Sequence, residues 1–105
     1  MGIQIETSDQ AGGRTIAAVG RLSKEHALPE AEFSLLVGDP WQGKGLGSEL
    51  LRRLVQIGRD ERLELIWADM LASNNGMRRT AQAVGFTLKD RPGDTTTRAE
   101  LRLSQ

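Results

Sequence analysis

Apolar residues first recur at alternate positions, with Ile3 and Ile5 inside Ile3–Glu6 and a run of small and β-branched residues over Arg14–Leu22. Gly12-Gly13 lies between the two runs, so the pattern predicts a β-hairpin. Ser23–Glu30 is polar, contains Pro29 and reads as a connection; Ala31–Val37 then resumes the alternation, with Phe33, Leu35 and Val37 on one face. After Val37 the period changes. Gly38-Asp39-Pro40 breaks the strand, and Leu46, Leu50, Leu51, Leu54, Val55 and Ile57 recur as expected for a helix of about three to four turns starting near Leu46. The nearly continuous apolar run Leu63–Leu71 predicts a strand covered on both faces, which makes strand–helix–strand a parallel crossover with its two strands side by side. Asn74 is placed to N-cap a helix over Asn75–Val84, with Met77, Ala81 and Val84 facing inward and Gly85 as its stop. Phe86–Leu88, a Pro92-Gly93-Asp94 turn and the alternating Thr97–Leu103 predict a closing hairpin. The expected class is α/β (α+β): a mixed sheet in the order β-β-β-α-β-α-β-β, forming one domain over residues 1–105.

Composition narrows the chemistry by exclusion. A chain of 105 residues exceeds the roughly 70–80 below which a core usually needs staples. With 14 basic and 14 acidic side chains the formal charge is zero, so no global field favours nucleic acid or an anionic membrane as partner. Cysteine is absent, which removes disulfides, thiolate zinc sites and cysteine nucleophiles. There is one histidine, His26, and no tyrosine, so catalysis would fall to carboxylates, backbone dipoles and water. His26 has no companions at metal-ligand spacing and reads as a surface residue, so no metal is expected. Met1–Gln10 has no apolar run ahead of a cleavage site, and no segment approaches the ~18 apolar residues of a membrane span. A cytoplasmic protein is the expectation.

Gln42-Gly43-Lys44-Gly45-Leu46-Gly47 joins a strand to the first turn of a helix, where backbone N–H groups lack partners within the helix. Those donors, together with the helix dipole, suit a diphosphate, and glycines let it approach without Cβ clashes. The same three glycines also suit a tight turn and close helix–sheet packing, and both readings stand at this level. A Walker loop is set aside because Lys44 precedes Gly45-Leu46-Gly47 instead of closing the loop. The dinucleotide fingerprint is set aside because it follows the first strand of a parallel sheet, whereas this loop follows three strands that read as antiparallel.

Val37-Gly38-Asp39-Pro40-Trp41-Gln42-Gly43-Lys44-Gly45-Leu46-Gly47-Ser48-Glu49-Leu50-Leu51 resembles motif A of the Gcn5-related N-acetyltransferases (GNAT), with its Gln/Arg-x-x-Gly-x-Gly/Ala after a strand ending in valine. Asn74-x-x-Met77 followed by Val84-Gly85-Phe86 resembles the next motif of that family, and the likeness runs from about Gly13 to Leu103. Within the family, Glu32-Phe33, the glycine loop and Leu71-x-x-Asn74 are most similar to acetyltransferase domains of bacterial protein-lysine acetyltransferases.

The resemblance implies acetyl-CoA or coenzyme A as cofactor. The backbone of Leu35, Leu36 and Val37 would pair with pantetheine in a splayed sheet, and Gln42, Gly43, Lys44, Gly45, Leu46, Gly47 and Ser48 would hold the pyrophosphate, with Asn74 near the pantetheine arm. The amide near Leu36 would stabilise the oxyanion, and Glu32, on the same face as Ser34 and Leu36, is the candidate general base; a solvated or structurally paired glutamate is the alternative. The implied reaction is direct attack of an amine, a protein lysine or a small molecule, on the acetyl thioester. The alternative is a non-catalytic acyl-CoA-binding module, or a truncated domain needing a partner. Ala81 stands where many members carry a tyrosine, and against the family pattern the leading strand and two helices that build the acceptor wall are missing, to be replaced by a homodimer partner, by a fused domain or by nothing. Lys44 is the best placed of Lys44, Arg52, Arg53, Arg78 and Arg79 to meet phosphate, while Trp41 and Trp67 read as packing.

Overall fold

In a computed structural model the described residues are 2–8, 16–24, 27–38, 43 and 45–103. The elements are β1 (Gly2–Ser8), β2 (Ile16–Lys24), β3 (Glu30–Val37), α1 (Leu46–Asp60), β4 (Leu65–Leu71), α2 (Asn75–Val84), β5 (Thr87–Lys89) and β6 (Thr96–Arg102). This is the order expected from the periodicity. Gly12-Gly13, His26, Trp41 and the Gln42 and Lys44 positions of the loop lie outside the described residues.

Six strands form one sheet in the order β1-β2-β3-β4-β6-β5. The β1–β2 and β2–β3 pairs are antiparallel, β3–β4 is parallel, and β6 pairs antiparallel with both β4 and β5. Alternation along β3 buries Ala31 and Phe33 beneath the helices and leaves Glu32, Ser34 and Leu36 exposed on the other side. Leu51, Leu54 and Val55 of α1 and Ala81 of α2 meet Leu22, Phe33, Ile66, Ala68, Met70 and Ala99 in one core, where Phe33 and Phe86 pack edge to face with ring centroids 5.1 Å apart. Gly58 lets α1 lie close to the sheet: a Cβ there would come within 2.7 Å of Ile66 Cδ1.

Both crossovers advance across the sheet in one direction, and right-handed connections of that kind place their helices on the same face. The expectation that β4 is covered on both faces is therefore corrected: Trp67 is half-buried, and Asp69 and Leu71 are exposed. Trp67 does not join the core. It packs on the open face beneath Arg98, whose guanidinium carbon lies 4.1 Å from the ring centroid.

Local signals set the bounds of α2. Met77 N–H donates to Asn74 Oδ1 at 3.1 Å, and Gly85, at φ 110°, ends the helix as Phe86 N–H donates to the Ala81 carbonyl and Gly85 N–H to that of Gln82. This 6→1 and 5→2 pair is the Schellman arrangement. Arg78 then ties α2 to the closing hairpin, donating to both carboxylate oxygens of Asp90 at 2.8 and 3.0 Å and to Thr97 Oγ1 at 3.1 Å. Thr97, buried in the sheet, donates in turn to Asp90. These hydrogen bonds, that from Arg78 first, hold the Asp90 carboxyl down at about 2.

Candidate functional site

Pairing between β3 and β4 covers Glu30↔Leu65, Ala31↔Ile66 and Glu32↔Trp67 and then stops, although β3 continues to Val37 and β4 to Leu71. Their outer edges stay paired along that stretch, Val37 with Ala18 on β2 and Leu71 with Thr96 on β6. The sheet therefore opens only between β3 and β4, and backbone groups facing the gap have no ladder partner there.

A cleft of about 510 Å³ occupies this opening, within the size range of small-molecule sites. One wall is Leu35, Leu36 and Val37; the floor is Gly43, Gly45, Leu46, Gly47 and Ser48; the third wall comes from α2, through Asn74, Gly76, Met77, Arg79, Thr80 and Ala83.

The floor is the N-terminus of α1. Gly45 occupies the N-cap position at φ 81° and supplies no side-chain cap, and the first intrahelical hydrogen bond runs from Glu49 N–H to the Gly45 carbonyl at 3.1 Å. The amides of Leu46, Gly47 and Ser48 precede that bond and so have no acceptor within the helix. Positive φ at Gly43 (77°) and Gly45 explains glycine at both positions. Gly47 differs: a Cβ there would meet Val37 Cγ2 at 3.6 Å and Thr80 Cγ2 at 3.7 Å, ordinary contacts on two cleft-lining residues. Packing therefore does not require glycine at Gly47. Glu49, the one acidic residue of the first turn, would oppose an anion, but Arg53 pairs with it at 2.8 Å.

Nine of the residues singled out from sequence line this cleft together: Leu35, Leu36, Val37, Gly43, Gly45, Leu46, Gly47, Ser48 and Asn74. Leu36 does so while its side chain, 71% exposed, points to the open face. Glu32 is not in the lining; it sits at the fork, the last β3 residue paired with β4, with its side chain on the open face. Four residues separate it from Leu36, which is ~13 Å along a strand. Of the α2 wall only Asn74 was placed at the cleft from sequence. Arg79, ranked there behind Lys44 as a phosphate partner, lines the cleft, whereas its neighbour Arg78 is engaged by Asp90. The signal available was helical spacing: Gly76, Arg79, Thr80 and Ala83 share a stripe at intervals of three and four from Gly76. Ala81, at the position of the family's tyrosine, is fully buried. Among the described residues no group of acidic or histidine side chains is arranged to hold a metal ion, and no helix is long and apolar enough to cross a membrane.

Comparison with known proteins places this architecture. The acetyltransferase (GNAT) domain family matches residues 1–87. No curated protein matches by sequence. Among solved structures, the GNAT domain of S. lividans PAT superposes with a TM-score of 0.83 at 25% identity, over 97% of this chain and 61% of that one. YncA from Salmonella typhimurium, solved with its cofactor acetyl-CoA, gives 0.76 at 23% identity over 88% of this chain and 61% of that one. A cAMP-binding acyltransferase from Mycobacterium smegmatis gives 0.78 at 23% identity, over 99% of this chain and 31% of its own. The chain thus spans less than two thirds of the length of these structures. With the family matching over most of its length and the glycine loop, the parted strands and the capped second helix in place, the chain belongs to the GNAT acetyltransferase family.

Proposed function

We propose that this protein is an N-acetyltransferase that binds acetyl-CoA in the cleft and transfers the acetyl group to an amine. The observation that carries this reading is the coincidence of two backbone sets: strand edges that leave each other's ladder beyond Glu32↔Trp67, and amides at the start of α1 that no described side chain caps. The first set fits an extended pantetheine arm bound as an added strand. The second fits a diphosphate. Gln42 and Lys44 belong to the same loop, and Arg79, lining the α2 wall, adds a cation to that end. Asn74 faces the middle of the arm, its Oδ1 already engaged by Met77 N–H and its Nδ2 free to donate.

The bound thioester supplies an acyl group open to attack by a neutral amine. The Leu36 backbone amide, on the gap edge, is assigned to receive the negative charge that develops on the carbonyl oxygen, an effect worth ~2.7–4 kcal/mol per donor. Glu32 takes the proton that the ammonium must lose, acting through ordered water because of its distance from Leu36 along β3. The C–N bond forms, the C–S bond then breaks as the oxyanion collapses, and the departing thiolate takes, through water, the second proton that the nitrogen sheds, since buried Ala81 offers no acid. Protein lysine and small-molecule amines both remain acceptors on this reading. A spermidine N-acetyltransferase chimera among the structural neighbours supports an amine in general.

A melting scan with coenzyme A tests the cofactor site. Ligand at a hundred times its dissociation constant adds ~2.7 kcal/mol, which at ~4–8 °C per kcal/mol for a domain of this size raises the melting temperature by roughly 10 °C or more. Glu32→Gln then separates binding from turnover: the shift is retained and acetylation of amines is lost. Absence of the shift in the unaltered protein would overturn the proposal.

A further inference from the structure

Continuing the β3–β4 register past Glu32↔Trp67 by two and four residues brings Ser34 opposite Asp69 and Leu36 opposite Leu71 across the gap. All four side chains are exposed, and strand alternation puts them on the open face, with Leu36 and Leu71 at 71% and 59% exposure. Two large exposed leucines thus form the lips of the gap, one on each strand, and a carboxylate sits just inside.

The cross-strand partner of Asp69 on β6 is Arg98, a pairing that ordinarily makes an ion pair. Arg98 is turned away. Its guanidinium lies over Trp67, and its Nε is 3.1 Å from Glu100 Oε2, while Glu100 also takes Lys89 at 2.8 Å. These cations hold the Glu100 carboxyl below its usual range, Lys89 contributing most. Asp69 is left without an ion pair among the described residues. Charged groups elsewhere on this face include Arg21 on β2, across β3 from the gap, Glu32 at the fork and Arg102 on β6, and Arg91 and Asp94 line one hollow with Asp69, Lys89, Arg98 and Glu100. Asp69 lies level with Ser34, two residues closer to Leu36 than Glu32 is, or ~7 Å along the strand.

We infer that Asp69 is a specificity-determining residue: it receives the ammonium of a cationic acceptor entering from the open face, whose methylene stem lies between Leu36 and Leu71. This rests on the cleft being the acetyl-CoA site, because the acceptor must reach the thioester through the gap. A carboxylate with apolar lips fits a primary amine on an alkyl chain, as in a lysine side chain or a linear diamine, since such stems bury on apolar surface while the charged head is paired. It disfavours an acceptor with an anionic group beside its amine.

The test is calorimetry on the unaltered protein and Asp69→Asn, each titrated with coenzyme A and then, once saturated, with 1,4-diaminobutane or the uncharged 1,4-butanediol. Asp69 is exposed, so the variant should melt with the unaltered protein. Its coenzyme A dissociation constant should stay within twofold, while that for the diamine rises tenfold or more; the diol should bind neither form. Equal diamine affinity in the two proteins, or diol binding as tight as diamine binding, overturns the assignment of Asp69 and leaves the cofactor site standing. Failure of coenzyme A to bind the unaltered protein overturns both.

Discussion

The two helices of this fold begin in opposite ways. α2 opens on Asn74, whose side chain accepts from Met77 N–H, so one of its free amides is satisfied from within the chain. α1 opens on Gly45, which has no side chain to offer, and Leu46, Gly47 and Ser48 line the cleft. An N-cap contributes about 1 kcal/mol, and α1 forgoes it at the point where an anion would supply the same hydrogen bonds with full charge. On the proposed function, a helix start without a side-chain cap beside a capped one is where stability is exchanged for binding.

The sharpest way to break this contrast is to fill the bare end. Gly47→Asp places a carboxylate in the first turn of α1, where it favours the helix dipole, and its Cβ meets only ordinary contacts. Coenzyme A affinity should fall a hundredfold or more, ~2.7 kcal/mol, while the melting temperature without ligand does not drop. A parallel loss of both would show that glycine serves packing here. Calorimetry and a melting scan read the two effects separately.

Stripping the capped end is the converse. Asn74→Ala should lower stability by about 1 kcal/mol, or ~4–8 °C, with a smaller weakening of coenzyme A binding. Denaturant unfolding measures the first effect, and a melt unchanged from the unaltered protein would leave the cap without energetic weight.

The smallest effect concerns how α2 is anchored. The Asp90 carboxyl is held down at about 2 in the fold, below its ordinary 3.8, because Arg78 and Thr97 donate to it. A depressed carboxylate contributes stability above its unfolded value, and this is lost as pH falls from about 4 toward about 2. The pair is largely exposed, so the contribution is modest. Melting temperatures recorded across that window should decline less steeply in Asp90→Asn than in the unaltered protein.

Adjacent arginines show where sequence reasoning stopped. Arg78 and Arg79 are equivalent in a pattern of charges, yet one is bound to Asp90 and the other lines the cleft. Twelve residues separate Arg78 from Asp90, and no local rule selects that partner. Trp67 and Asp69 make the same point on β4: an apolar run suggests burial on both sides, but which side is covered depends on where the crossovers carry the helices. The helix bounds at Asn74 and Gly85 were legible because caps are local chemistry.

By itself the sequence determined the order of elements, the glycine-bearing start of α1 and the cap of α2, since each depends on residues a few positions apart and on the hydrogen bonds and torsions those residues allow. Only the tertiary structure decided that the splay implied by the family resemblance sets in after three β3–β4 pairs, that α2 walls the cleft, and that Arg98 turns to Trp67 and leaves Asp69 at the gap. Those outcomes follow from competition among partners distant in the chain, which is settled when the sheet and helices pack together.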